Sequence, residues 1–162
     1  MPELAATPVA PADPHRAPSY AGRYEEDRYG GGIGEYLKRY EIGVFEELAR
    51  DVPGPVLDVG TGTGKLAFAL AGGGRTVTAC DRSAAMVAQA RARGSGPAVR
   101  LVVAAAERLC FPSGSFGVAV SSRVMMHLAD WEGAVAELCR VASGAVVADF
   151  PARWSVAGVD AL

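Results

Sequence analysis

From residue 56 to residue 149, short apolar runs alternate with stretches whose apolar positions recur every three or four residues. The runs predict strands at 56–60, 76–80, 99–103, 117–122 and 145–149. The longer periods predict helices over 64–71, 84–93 and 131–142. Gly72-Gly73-Gly74 suits the end of the first of these helices. Ser83 and Asp130 suit the caps of the other two, and Gly94 suits the stop of the second. The inward face of 131–142 reads as Trp131, Val135, Leu138 and Val141. Upstream, Ile33, Leu37, Tyr40, Val44 and Leu48 form one apolar face of a helix over 33–50. Asp51 to Pro55 is a turn. Pro151 ends the last strand, and a short helix is expected near Ser155.

Strands alternating with helices predict an α/β fold: a Rossmann-like, doubly wound, mostly parallel sheet with helices on both faces. Residues 1–19 are rich in Pro and Ala without any period and read as a disordered tail. Residues 20–52 read as an N-terminal lid and helix, and 53–162 as the main domain. Ligands of such sheets sit beyond the carboxyl ends of the strands. That rule gathers the Gly60–Gly64 turn, Asp81, the 104–107 segment and the 121–128 segment, which begins at Ser121, around one cleft.

Composition adds exclusions. The 162 residues carry a net charge of -2, which gives no basic footprint for nucleic acid. No run reaches the roughly 18 to 20 apolar residues of a membrane span. The N-terminus lacks the pattern of a signal peptide. Cys80, Cys110 and Cys139 are widely spaced among apolar residues, which suits reduced, partly buried thiols in a cytoplasmic protein and no metal site.

The chemistry concentrates in Val56-Leu57-Asp58-Val59-Gly60-Thr61-Gly62-Thr63-Gly64-Lys65-Leu66-Ala67, a strand, a glycine turn and a helix start. Glycine brings a ligand against bare backbone, and the helix start adds N–H donors. Three ligands compete. A phosphate loop needs a glycine five positions before Gly64 and a hydroxyl after Lys65. Val59 and Leu66 stand there, so that reading fails. A dinucleotide fingerprint is present as Gly62-Thr63-Gly64-Lys65-Leu66-Ala67, with Asp81 as its ribose acid.

The third reading rests on several motifs in order. Residues 56–64, the 77–86 stretch with Asp81 and Met86, Ala106 to Pro112, Ser122 to Leu128, and Glu137 to Val141 together resemble the class I S-adenosylmethionine-dependent methyltransferases. The likeness is to their small-molecule branch, which includes ubiquinone- and menaquinone-pathway enzymes, and it covers about residues 54–150. It implies S-adenosyl-L-methionine as cofactor and methyl transfer to a small-molecule acceptor. Asp58 suits the methionine ammonium. Gly60, Thr61, Gly62 and Gly64 admit the methionine and ribose. Asp81, with Arg82 beside it, accepts from the ribose diol. Met86 offers adenine a soft apolar face, and the backbone at Ala106, next to Glu107, meets the ring edge. A lid precedent in the family brings in Tyr24 and Tyr29. His127 is the cleft-side candidate for a general base.

The resemblance also exposes departures. Ala105 stands where the family usually has an acid that receives the adenine amino group; one such bond is worth roughly 0.5–1.5 kcal/mol. Gly117 stands where Asp commonly follows Phe. The family sheet has seven strands and this chain encodes five, which makes Ala145–Asp149 an open apolar edge for a second copy or a partner. Two alternatives stay open: an NAD- or FAD-type oxidoreductase domain, and a degenerate methyltransferase fold acting as a binding or partner subunit.

Overall fold

The computed structural model describes residues 31–94 and 96–150. The proposed tail, Tyr24, Tyr29 and the helix near Ser155 lie outside the described residues. Four helices, α1 (Gly32–Ala49), α2 (Lys65–Gly72), α3 (Ala84–Ala92) and α4 (Trp131–Val141), surround five strands. The strands are β1 (Val56–Val59), β2 (Val77–Asp81), β3 (Val99–Val103), β4 (Phe116–Ser121) and β5 (Ala142–Ala148). Every pairing is parallel and the order is β3-β2-β1-β4-β5. The fold class is therefore the one read from the alternation. Among the described residues, no helix is long and apolar enough to cross a membrane.

Winding direction reverses between β1 and β4, which divides the helices between the faces. On one face Phe45 and Ala49 of α1 and Leu66, Ala67 and Leu70 of α2 pack on Val56, Val77, Ala79, Val118 and Val120. On the other, Ala134, Leu138 and Val141 of α4 pack on Leu57, Val59, Cys80 and Ala119. Adjacent strand residues thus serve opposite cores, as the pleat requires. β1 and β4 are buried along their whole length, so their sequences read as continuous apolar runs.

Three expectations need correction. β5 begins at Ala142, directly where α4 ends, and not at 145; Ser143 anchors its start by donating to the Phe116 carbonyl at 2.9 Å. Trp131 is 45% exposed, because the first turn of α4 overhangs the sheet and the inward stripe begins at Ala134. The apolar face assigned to α1 points outward: Ile33, Leu37, Tyr40, Val44 and Leu48 are exposed, while Phe45 and Ala49 are buried. Of the thiols, Cys80 is buried and Cys110 and Cys139 are exposed, all three free.

Gly117 acquires a structural reason. A Cβ there would lie 1.8 Å from the Pro53 carbonyl oxygen, so the turn before β1 can close onto β4 only over a bare backbone. The 104–115 segment is clamped by α4. Arg140 donates to the Leu109 and Phe111 carbonyls at 3.0 and 2.8 Å, and Glu137 accepts the Leu109 N–H at 2.7 Å. The same arginine's hydrogen bonds hold the Glu137 carboxyl at about 2.

Candidate functional site

At the carboxyl ends of β1 and β4, where the strand order switches, two cavities open side by side and share Gly60, Gly62, Ser122 and Arg123. The β1–α2 turn separates them. Its start is tied to β2: the Gly60 and Thr61 N–H groups donate to the Cys80 carbonyl at 2.8 and 2.9 Å. Gly60 has φ +75°, and a Cβ there would come within 2.1 Å of Val124. Gly62 differs. Its φ is +56° and nothing lies within 4 Å of where its Cβ would stand, so any side chain would project into space both cavities share. Gly64 lines neither cavity; it opens α2 in a left-handed conformation, and a Cβ would strike the Phe68 ring at 2.6 Å.

The first cavity is walled by Asp81, Arg82, Met86, Ala104, Ala106 and His127, among others. Asp81 sits at the end of β2 and is oriented by two backbone donors, Gly62 N–H at 2.8 Å and Ser83 N–H at 2.8 Å, one to each oxygen. A carboxylate oxygen accepts more than one bond. Ser83 caps α3, whose third residue, Met86, is 3% exposed and forms an apolar wall. Opposite it, Ala104 N–H donates to the Asp81 carbonyl at 3.0 Å and brings the buried Ala106 to the rim.

The second cavity lies under α1 and is lined by Lys38, Glu41, Asp58, Thr61, Lys65 and Arg123, with Ile42 and Phe45. Asp58 is 1% exposed and accepts from the Thr61 hydroxyl at 2.6 Å. Burial pushes its carboxyl up to about 7; the Thr61 bond opposes this and the negative charge of Asp81 adds to it. A buried acid poised this high takes its charge readily when a cation arrives. Burial also raises the Cys80 thiol far above its ordinary range and keeps it unreactive.

Seven of the sequence candidates meet at the first cavity: Gly60, Gly62, Asp81, Arg82, Met86, Ala106 and His127. Asp58 and Thr61 belong to the second. Glu107 lines neither cavity, and the Ser121 side chain turns into the sheet, where its hydroxyl donates to the Val59 carbonyl at 2.9 Å. Arg123, Ser122 and Glu41 were not among the candidates. Arg123 is the one non-glycine with positive φ among the described residues (59°). Its N–H donates to the Asp149 carboxylate, while Glu41 accepts from Ser122 Oγ at 2.9 Å and lies 4.0 Å from the Arg123 guanidinium. The available signal was position: Ser122 and Arg123 follow β4 directly, as Gly60 follows β1. No group of acids, histidines or cysteines among the described residues could hold a metal ion.

The methyltransferase domain family matches residues 57–147, more than half of the chain. A demethylmenaquinone methyltransferase of Thermus thermophilus is 40% identical over 106 residues, 61% of this chain and 48% of the relative. The chain thus spans about half the length of that curated relative. Among solved structures, magnesium protoporphyrin IX methyltransferase of Synechocystis, with bound SAM, superposes with a TM-score of 0.69 at 21% identity, over 94% of this chain and 85% of that one. The [4+2]-cyclase SpnF superposes with a TM-score of 0.62 at 26% identity, over 69% and 43%.

Proposed function

This chain belongs to the methyltransferase domain family of class I S-adenosylmethionine-dependent proteins, and on that premise we propose that it binds S-adenosylmethionine across the Gly60–Gly64 turn and directs its methyl group to a small-molecule acceptor. One observation carries the reading: two cavities with different acids, Asp81 and Asp58, meet at the bare backbone of Gly62. That arrangement suits a phosphate-free nucleoside joined to an amino acid. The ribose diol fits Asp81, the adenine fits the wall made by Met86 and Ala106, and the methionine fits the second cavity. There Asp58 answers the ammonium, and the cationic side chains of Lys38, Lys65 and Arg123 answer the carboxylate.

Bound in this way, the cofactor supplies a methyl already attached to a good leaving group. The protein's own contribution is alignment and water exclusion. Gly60, held against Val124, sets the depth of the turn, and Ser122 and Arg123 bound the junction of the cavities, where an acceptor must arrive. His127, in the wall of the first cavity, takes a proton if the acceptor carries one. Glu107, Ser121 and Gly64 act one step back, through backbone position. Tyr24 and Tyr29 as lid contacts lie outside the described residues. A cytoplasmic setting is supported by the three free thiols.

Ala105 favours a second reading, a cofactor-binding subunit without turnover, because it is exposed and offers adenine no acid. Nothing in the site favours a nicotinamide or flavin cofactor over this one. Calorimetric titration with S-adenosylhomocysteine tests the main reading. Wild type binds, and Asp81→Ala binds roughly ten- to a hundredfold more weakly, as expected for loss of hydrogen bonds to a charged group. No binding by the wild type overturns the reading, and equal binding by both proteins removes Asp81 from it.

A further inference from the structure

Six of the ten large apolar side chains exposed among the described residues lie on one helix, α1: Ile33 (79%), Tyr36, Leu37, Tyr40, Val44 and Leu48. Scattered exposed leucines are ordinary, but a contiguous apolar face of this kind marks an interaction surface. The helix is not loosely attached. Its opposite face buries Phe45 and Ala49 on the sheet, and Glu41 is hydrogen-bonded to Ser122. The outer face is therefore presented in a fixed orientation.

We propose that this face is the two-fold interface of a homodimer, in which α1 of one copy packs antiparallel on α1 of a second. Three features select a second copy as the occupant. Ile33, Leu37, Tyr40 and Val44 follow the four-three-four spacing of a helix-pairing seam, which is complementary to itself. Charge then sets the direction. Lys38 and Glu41 belong to the cavity side of the helix, whereas Glu47 stays exposed at the edge of the stripe in its second half. Parallel pairing sets Glu47 beside its own copy; antiparallel pairing sets it near Gly34 of the second copy. Third, scaling full residue areas of roughly 170–250 Å² by the observed exposures gives about 750 Å² per copy, close to the ~800 Å² per partner of a stable interface. In this arrangement Ile33 faces Leu48 of the second copy, Leu37 faces Val44, and the two Tyr40 side chains meet near the axis. The contact also braces the helix whose other face carries Lys38 and Glu41 to the second cavity.

Light scattering coupled to size exclusion, over a dilution series of the whole chain, reads the result. Wild type is expected at twice 16.7 kDa, and Leu37→Glu combined with Tyr40→Glu at 16.7 kDa. Both positions are more than half exposed, and circular dichroism checks that the double variant keeps its fold. With Cys110→Ser and Cys139→Ser in the background, Tyr40→Cys is expected to oxidise to a covalent dimer. Ile33→Cys is expected to do so only when mixed with Leu48→Cys. A monomeric wild type, a dimer that survives the double substitution, or self-crosslinking of Ile33→Cys alone overturns the proposal, as does recovery of the chain bound to a different protein through this face. None of these outcomes depends on cofactor binding.

Discussion

Replacing Asp58 by asparagine should make the ligand-free protein more stable at neutral and alkaline pH while weakening its binding of S-adenosylhomocysteine. The carboxyl is fully buried, and its value is raised from 3.8 to about 7, mainly by that burial. Between those two values the folded protein holds a proton that the unfolded chain has released. The folded state therefore binds more protons, and stability falls as pH rises through this window. At about 1.4 kcal/mol per pH unit the whole gap amounts to roughly 4 kcal/mol, of which roughly 2–3 kcal/mol falls between pH 5 and pH 8. Asparagine keeps an oxygen to accept the Thr61 hydroxyl, which the aspartate now accepts at 2.6 Å, and carries no charge to bury. Urea unfolding at pH 5 and pH 8 reads the difference. The variant's advantage should grow by roughly 2–3 kcal/mol from pH 5 to pH 8. In the same samples the variant should bind S-adenosylhomocysteine at least tenfold more weakly at pH 8, since the ammonium loses its charged partner. Parallel stability profiles for the two proteins would show that Asp58 titrates like an exposed acid, and the reasoning from burial would fail.

Two further outcomes follow from backbone geometry. Gly117→Ala places a methyl 1.8 Å from the Pro53 carbonyl oxygen and should cost about 1–3 kcal/mol in urea unfolding, since backbone must move; a change within about 0.5 kcal/mol refutes the close approach. At Arg123, with φ at 59°, Arg123→Gly should be more stable than Arg123→Ala by about 1 kcal/mol, because only alanine retains the left-handed penalty. Equal stabilities would mean that the residue does not hold that conformation in solution.

Much of the sheet was legible in the sequence because of where β1 and β4 lie. Both are covered on both faces, so they appear as unbroken apolar runs bounded by glycine or serine. Two acids were legible by position: Asp58 interrupts the run of β1 and Asp81 ends that of β2, and each sits where a parallel sheet takes its ligand. What the sequence did not disclose depends on tertiary approach. Gly117 looked like a lost acid; its cause is the Pro53 carbonyl, 64 positions away along the chain. Arg123 fell within the 121–128 segment assigned to the cleft but was not singled out, since neither its left-handed backbone nor its place between two cavities leaves a periodic trace. β5 was placed late because Ser143 and Gly144 resemble a turn. In the fold they are strand, with Gly144 pressed on the Gly117 carbonyl so that a Cβ would stand 2.8 Å from it.

Helix α1 shows why periodicity alone misleads at a site of this kind. It carries two apolar stripes on opposite sides. One is large and regular, Ile33 to Leu48, and the other is short, Ile42, Phe45 and Ala49. The helical spacing of apolar residues favours the larger stripe, and on a helix with a single core to face that would be the inward one. Here the sheet accepts the smaller stripe. The cavity under the helix must admit Lys38 and Glu41, and the space left over the sheet suits one aromatic ring and an alanine. Among the described residues the larger stripe stays exposed, and it is this face that is proposed to pair with a second copy. The outward turn of Ile33, Leu37, Tyr40 and Val44 follows from the same packing that brings Glu41 to Ser122.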